Sequence, residues 1–133
     1  MAVRVSGSFD VTLTPQTTDE SSGITLGRTA IDKQFHGPLE GTSKGEMLTA
    51  LTSVKGSAGY VAIERVTGTL GGRTGTFVLQ HDATMTRGAP QLAIVVVPDS
   101  GTGELEGLTG TMGIRIEGGK HFYDFEYTIP ARP

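Results

Sequence analysis

Gly110-Thr111-Met112-Gly113-Ile114-Arg115-Ile116-Glu117-Gly118-Gly119-Lys120-His121-Phe122-Tyr123-Asp124-Phe125-Glu126-Tyr127 reads as two alternating runs joined by a diglycine. A two-residue Gly-Gly loop is a strong signal for a tight β-hairpin, because both positions must take φ > 0. Folding the stretch about that loop pairs Glu117 with Lys120, Ile116 with His121, Ile114 with Tyr123, Met112 with Phe125 and Gly110 with Tyr127. One face then carries Met112, Ile114, Ile116, His121, Tyr123, Phe125 and Tyr127. The other sets Arg115 beside Phe122 and Asp124, with Glu126 further along, and suits solvent.

The same period of two recurs outward from this hairpin. Val3, Val5, Gly7, Phe9, Val11 and Leu13 alternate with polar residues until Pro15, where the strand is expected to end. Further segments rich in β-branched or aromatic residues run over 24–35, 39–50, 59–69, 73–86, 91–98, 108–117 and 120–129, each bounded by Gly, Pro, Ser or Asp clusters. Residues 45–54 contain good helix formers, among them Glu46, Met47, Leu48 and Leu51, but a strand is preferred over a short helix there. Eight antiparallel strands over 1–133 leave two raw edges, and closing the sheet removes both. The expected architecture is therefore one all-β domain, a closed eight-stranded antiparallel barrel, with a two-sheet sandwich as the alternative. A barrel of this size nearly fills with side chains or holds one small ligand.

Gly71-Gly72 marks a second hairpin, between Tyr60–Val66 and Phe77–Asp82. If the two glycines alone form the loop, Ala62 faces His81 and Glu64 faces Leu79, so Tyr60, Glu64 and His81 share a face. A loop one residue longer puts Tyr60, Glu64 and Gln80 together instead. A one-residue slip exchanges the faces of a strand, and both registers remain open at this level.

The chain holds 20 Gly among 133 residues, about twice the average share, and no Cys. No Gly-x-y period exists, and apolar and charged residues are spread throughout, which excludes collagen and disfavours disorder. Gly-x-Leu-x-Gly occurs at Gly37–Gly41, Gly68–Gly72 and Gly103–Gly107. No helix follows any of the three, so they read as strand-end devices rather than phosphate cradles. The absence of Cys removes disulfides, thiolate-held metals and a cysteine nucleophile. His36, His81 and His121 are far apart without metal-ligand spacing, and no Gly-x-Ser-x-Gly is present. No metal or cofactor is expected. A formal charge of −3 without blocks of like sign offers nothing to a nucleic acid. Neither a secretory leader nor a membrane-spanning run is evident at the start or elsewhere, so a cytoplasmic protein is expected.

Ionisable residues within apolar strands are the candidates for chemistry: Glu64 and His81 as an acid–base pair, with Glu46, Tyr60, Gln80 and Tyr123 as ligand-binding neighbours. His121 is a weaker candidate at its hairpin end. Burial would lift the Glu64 pKa toward neutrality, which suits general acid–base work. Ala93–Val97 and Tyr60–Ile63 are apolar on both faces, so an outer face needs cover, and a homo-oligomer is expected.

Several stretches together resemble a family of small bacterial proteins of unknown function. They are residues 37–47 from Gly37-Pro38-Leu39-Glu40-Gly41, 56–64 from Gly56-Ser57-Ala58-Gly59-Tyr60 to Glu64, 75–81 from Gly75-Thr76-Phe77 to His81, 98–105 from Pro98-Asp99-Ser100-Gly101 to Leu105, and Lys120-His121-Phe122-Tyr123. That family looks like the allene oxide cyclase barrels in fold. The resemblance implies an eight-stranded barrel with a central cavity and an oligomeric habit. It does not imply cyclase activity, since fold does not set chemistry. The expected function is binding of a small, largely apolar molecule in the cavity, as an isomerase or cyclase; a non-catalytic carrier and a structural oligomer are the alternatives.

Overall fold

A computed structural model describes residues 2–131. Eight strands run in order β1 (Val3–Ser21), β2 (Ile24–His36), β3 (Leu39–Leu51), β4 (Ala58–Leu70), β5 (Arg73–Thr86), β6 (Ala89–Val96), β7 (Thr109–Glu117) and β8 (Lys120–Thr128). Each pairs antiparallel with its sequence neighbours, and β1 pairs with β8 to close the barrel. A 3-10 turn, Gly103–Leu105, lies in the connection from β6 to β7.

The β7–β8 hairpin has the register expected from its diglycine, from Glu117↔Lys120 to Gly110↔Tyr127. Gly118 and Gly119 take φ 58° and 79°, and Gly71 and Gly72 take 56° and 83°, values that a two-residue hairpin turn of this hand requires. The second hairpin therefore has the shorter loop, with Leu70↔Arg73, Glu64↔Leu79 and Ala62↔His81. Residues 45–51 are strand and not helix, within β3.

Pro15 does not end β1. The strand continues to Ser21, with a register shift against β2 between Pro15 and Thr17. Its pairing with β8 covers only Val3 to Phe9, so beyond that point one edge of β1 is unpaired. A residue lacking N–H, set at a bulge beside a free edge, breaks no ladder on that side. The consequence is a long β1–β2 arm at one end of the barrel, with β1 as its free edge and β2 still joined to the rest of the sheet through β3.

The two ends differ. At one end the interior is solid: Phe35, Leu39, Val66, Leu70, Phe77, Leu79, Ile94, Val96, Leu105, Leu108, Phe125 and Tyr127 form a single buried cluster. The three Gly-x-Leu-x-Gly segments all lie here. Their leucines, Leu39, Leu70 and Leu105, are buried in that plug, and Leu39 pairs directly with Leu70. Gly41 faces Gly68 so closely that a Cβ on Gly41 would stand 2.7 Å from the Gly68 Cα. The third segment differs from expectation in forming the 3-10 turn rather than a strand end. At the opposite end, bounded by the β1–β2 arm, the loop 52–57 and the turns at Arg87-Gly88 and Gly118-Gly119, the barrel stays open.

Candidate functional site

The open end leads into a cavity of about 620 Å³, bounded by Val11, Leu13, Ile31, Met47, Leu92 and Ile114 among other apolar side chains. Phe9, Lys33, Tyr60 and His81 also line it. Below Phe9 and Lys33 the aromatic plug begins, since Phe9 packs against Phe35 and Phe35 against Tyr123.

At this boundary the barrel buries four polar side chains: Lys33, Ser43, Glu64 and His81. Glu64 is 0% exposed, His81 3% and Lys33 6%. Lys33 Nζ donates to Glu64 Oε2 at 2.8 Å, and Ser43 Oγ donates to Oε1 at 2.6 Å. His81 Nε2 meets Oε2 at 2.5 Å. A carboxylate only accepts, so this ring nitrogen carries the proton. The ladder explains how the groups meet. Lys33 pairs with Ser43, Ser43 with Val66 and Ala62 with His81, so every member sits on an inward phase of adjacent strands β2 to β5.

Space for the Glu64 side chain comes from Gly45, its partner across β3–β4. A Cβ on Gly45 would lie 2.8 Å from the Glu64 Cβ and collide with the Ile63 carbonyl oxygen. The in-strand glycine is thus a structural condition for the cluster.

The protonation state of Glu64 reverses the sequence-based expectation. Burial alone pushes its pKa up, but hydrogen bonds from His81, Lys33 and Ser43 and the Lys33 charge outweigh it and hold the carboxyl at about 2. Glu64 is an anion that organises its neighbours, not a neutral acid. Lys33 is also placed 5.0 Å from the Phe9 ring centroid and 5.7 Å from that of Phe35, so two aromatic faces help to stabilise the buried ammonium. His81 Nδ1 is buried without a hydrogen-bond partner among the described residues. Tyr60 stands with its ring centroid 6.2 Å from that of His81. Burial, and then the Glu64 charge, raise its pKa and keep the phenol neutral.

Of the six residues singled out in the sequence, the structure brings Glu64, His81 and Tyr60 together. Two others lie outside the barrel. Glu46 is exposed and pairs with Arg28, with Nη2 2.9 Å from Oε2, and Gln80 is exposed opposite Ile63. Alternation explains both: each is one residue out of phase with an inward neighbour, Gly45 and His81 respectively. Tyr123 points inward but belongs to the plug. Its hydroxyl accepts from the Leu39 N–H at 2.9 Å and lies 3.0 Å from the His36 carbonyl and 3.1 Å from that of Leu39, so it fastens the β2–β3 turn and does not line the cavity. His121 packs at the cavity wall against Phe9, 5.2 Å between centroids. Lys33 and Ser43 were not among the sequence candidates. Their signal was phase: Lys33 continues the inward series Ile31 to Phe35, and Ser43 lies between the inward Gly41 and Gly45.

A family model described as "Protein of unknown function (DUF3224)" matches residues 5–127. The chain belongs to the DUF3224 family. It is similar to a crystal structure of a DUF3224 family protein of unknown function from Shewanella oneidensis MR-1. The two are 54% identical, the match covers 99% of this chain and 100% of that one, and the TM-score is 0.95. None of the curated proteins compared with the chain matches it. Among the described residues, no helix is long and apolar enough to cross a membrane.

Proposed function

We propose that this DUF3224 barrel takes up a small, largely apolar molecule through its open end and converts it, as an isomerase or cyclase, by acid–base chemistry at the cavity floor. The observation that carries this reading is the union of an apolar cavity of about 620 Å³ with a buried His81 whose Nδ1 has no partner. Ligand sites are mostly apolar with a few convergent polar groups. A filled structural barrel has no use for an open cavity over a buried ionic cluster, which is costly to desolvate. A passive carrier needs the cavity but not a hydrogen-bonded Glu64–His81 pair.

Native mass spectrometry of the purified protein tests uptake. A copurifying organic molecule is expected, and Ala83→Phe, which fills the cavity wall, should exclude it. If neither protein carries a molecule and neither binds an apolar fluorescent probe, the cavity reading fails and a structural role replaces it.

We also propose that a second copy of the chain covers the outer face of β3–β6. Leu48, Val61, Ile63 and Val95 are exposed there, with Leu48 paired to Val61 and Gln80 lying between Ile63 and Val95. Arg65 and Asp82 flank the Ile63–Gln80 pair on opposite diagonals, and neither has an ion-pair partner among the described residues. A copy turned by half a rotation about an axis in the interface sets Arg65 of each chain against Asp82 of the other. Sedimentation should show a dimer or a multiple of one, and Ile63→Asp should give monomer; a wild-type monomer at high concentration refutes the reading.

A further inference from the structure

Glu64 Oε2 accepts two hydrogen bonds at once, from Lys33 Nζ at 2.8 Å and from His81 Nε2 at 2.5 Å. The ammonium and the imidazole therefore stand within two hydrogen-bond lengths of each other at one end of an apolar cavity. Their unused capacities differ. With Nε2–H committed to Glu64, a neutral His81 presents a lone pair at Nδ1, buried and unpartnered. Lys33 has three donors, spends one on Glu64, and otherwise faces the Phe9 and Phe35 rings. The floor thus offers one base and one positively charged donor side by side.

Charge balance narrows what fits. Glu64 is ionised and already neutralises Lys33, so the floor has no surplus positive charge to hold a carboxylate or phosphate. An anionic head would also sit beside the Glu64 carboxylate, at a cost that burial magnifies. An alcohol can donate to Nδ1 and accept from Lys33, but it gives the base no acidified C–H to remove. A neutral carbonyl compound engages both groups: its oxygen accepts from Lys33, and a C–H next to the carbonyl, made acidic by it, meets Nδ1.

We propose that the site enolises and isomerises an uncharged, lipophilic ketone or enone, with His81 Nδ1 as the base, Lys33 as the donor to the developing oxyanion, and Glu64 as a positioning residue. This deepens the functional reading above and rests on it. In the forward step the C–H bond next to the carbonyl breaks and its proton goes to Nδ1. The C–H electron pair forms the new C=C bond, and the carbonyl π pair moves onto oxygen, where the Lys33 ammonium stabilises it. The imidazolium, held by the Glu64 anion, then returns the proton to carbon. In D2O the proton on Nδ1 is replaced by a deuteron from solvent before delivery; delivery to the original carbon then gives exchange, and delivery to the far end of a conjugated enolate shifts the double bond. No oxidant, reductant or cofactor enters the balance.

β-Tetralone, an uncharged apolar bicyclic ketone, is a suitable probe. Incubated with the full-length protein in D2O, its protons next to the carbonyl are followed by NMR for exchange, while the methyl signals of Met47, Leu92 and Ile114 report cavity occupancy. The wild-type protein should accelerate exchange saturably. His81→Gln, which keeps a donor toward Glu64 but has no base, should lose about 100-fold or more of the rate, and Lys33→Met should lose about 100-fold with occupancy retained. Glu64→Gln should shift the rising limb of the pH–rate profile to lower pH, because the imidazolium loses its stabilising anion, and Glu64→Asp should restore part of it; a merely structural Glu64 would leave the profile in place. Each variant is scored only where its amide spectrum is that of the folded barrel, and His81→Gln alone suffices to decide the base. If the probe shifts the cavity signals but exchanges no faster than in buffer, or as fast with His81→Gln, this proposal falls and the cavity reading stands. If the cavity signals do not move at all, both fall.

Discussion

Replacing Glu64 by Gln removes a buried charge while keeping the side chain's shape. In the folded protein the carboxyl is held at about 2 against an ordinary value of 4.5. A depression of that size corresponds to about 3 kcal/mol of stability from the ionised form. Because the folded pKa is the lower one, this contribution is complete above the unfolded value and is lost as pH falls from about 5 to 2. In Glu64→Gln the Lys33 ammonium is left buried without its counter-ion, and breaking such a pair costs about 3–5 kcal/mol. For a domain of this length that is a fall in Tm of roughly 10–20 °C at neutral pH. Urea unfolding of both proteins across pH 2–7 measures the gap directly. It should be about 3 kcal/mol or more at pH 7 and should narrow below pH 5, as wild type loses what the variant never had. Adding Lys33→Met to Glu64→Gln should recover much of the loss, since no stranded charge remains. A gap under about 1 kcal/mol at pH 7, or one that does not narrow on acidification, refutes the assignment of Glu64 as a buried anion held by Lys33, His81 and Ser43.

Three further outcomes follow from the same geometry. Gly45→Ala should destabilise by about 1–3 kcal/mol in urea melts, because its Cβ meets the Glu64 side chain and the Ile63 carbonyl across the ladder; a neutral result would mean that β3 and β4 are farther apart than described. Tyr123→Phe should cost about 1–3 kcal/mol by stranding the buried Leu39 N–H, and should leave probe binding in the cavity unchanged, since Tyr123 lies in the plug. Glu46→Gln and Gln80→Ala should change neither probe affinity nor the exchange rate; an effect of either on isothermal titration would overturn their placement on the outer face.

How much of this was legible depended on whether the information was local. The turn of the β7–β8 hairpin was readable because two adjacent glycines at φ > 0 set both loop length and register, and everything from Glu117↔Lys120 to Gly110↔Tyr127 follows from period two. The β4–β5 register stayed ambiguous because Tyr60–Ile63 is apolar on both faces, so the pattern itself does not say which face turns inward. The backbone at Gly71-Gly72 decided it, and with it moved Gln80 outward and His81 inward. Pro15 misled for a related reason: it is a stop signal only where its missing N–H would have had a partner, and β1 has a free edge there.

The sequence by itself determined an all-β chain, strands of nearly the observed bounds except at the far end of β1, and a doubled glycine content that serves tight turns and close strand approach. It also contained Lys33 and Ser43 in the right phase, but a period of two says only that a residue faces in. Which inward residues meet depends on closure, stagger and the room left by Gly45, and these bring Lys33 within 2.8 Å of a carboxylate 31 positions away. The charge of Glu64 was decided at the same level. Burial, which can be guessed from an apolar strand, raises a carboxyl pKa, whereas the donors that lower it come from three other strands and meet it only once β2 to β5 have paired in this register.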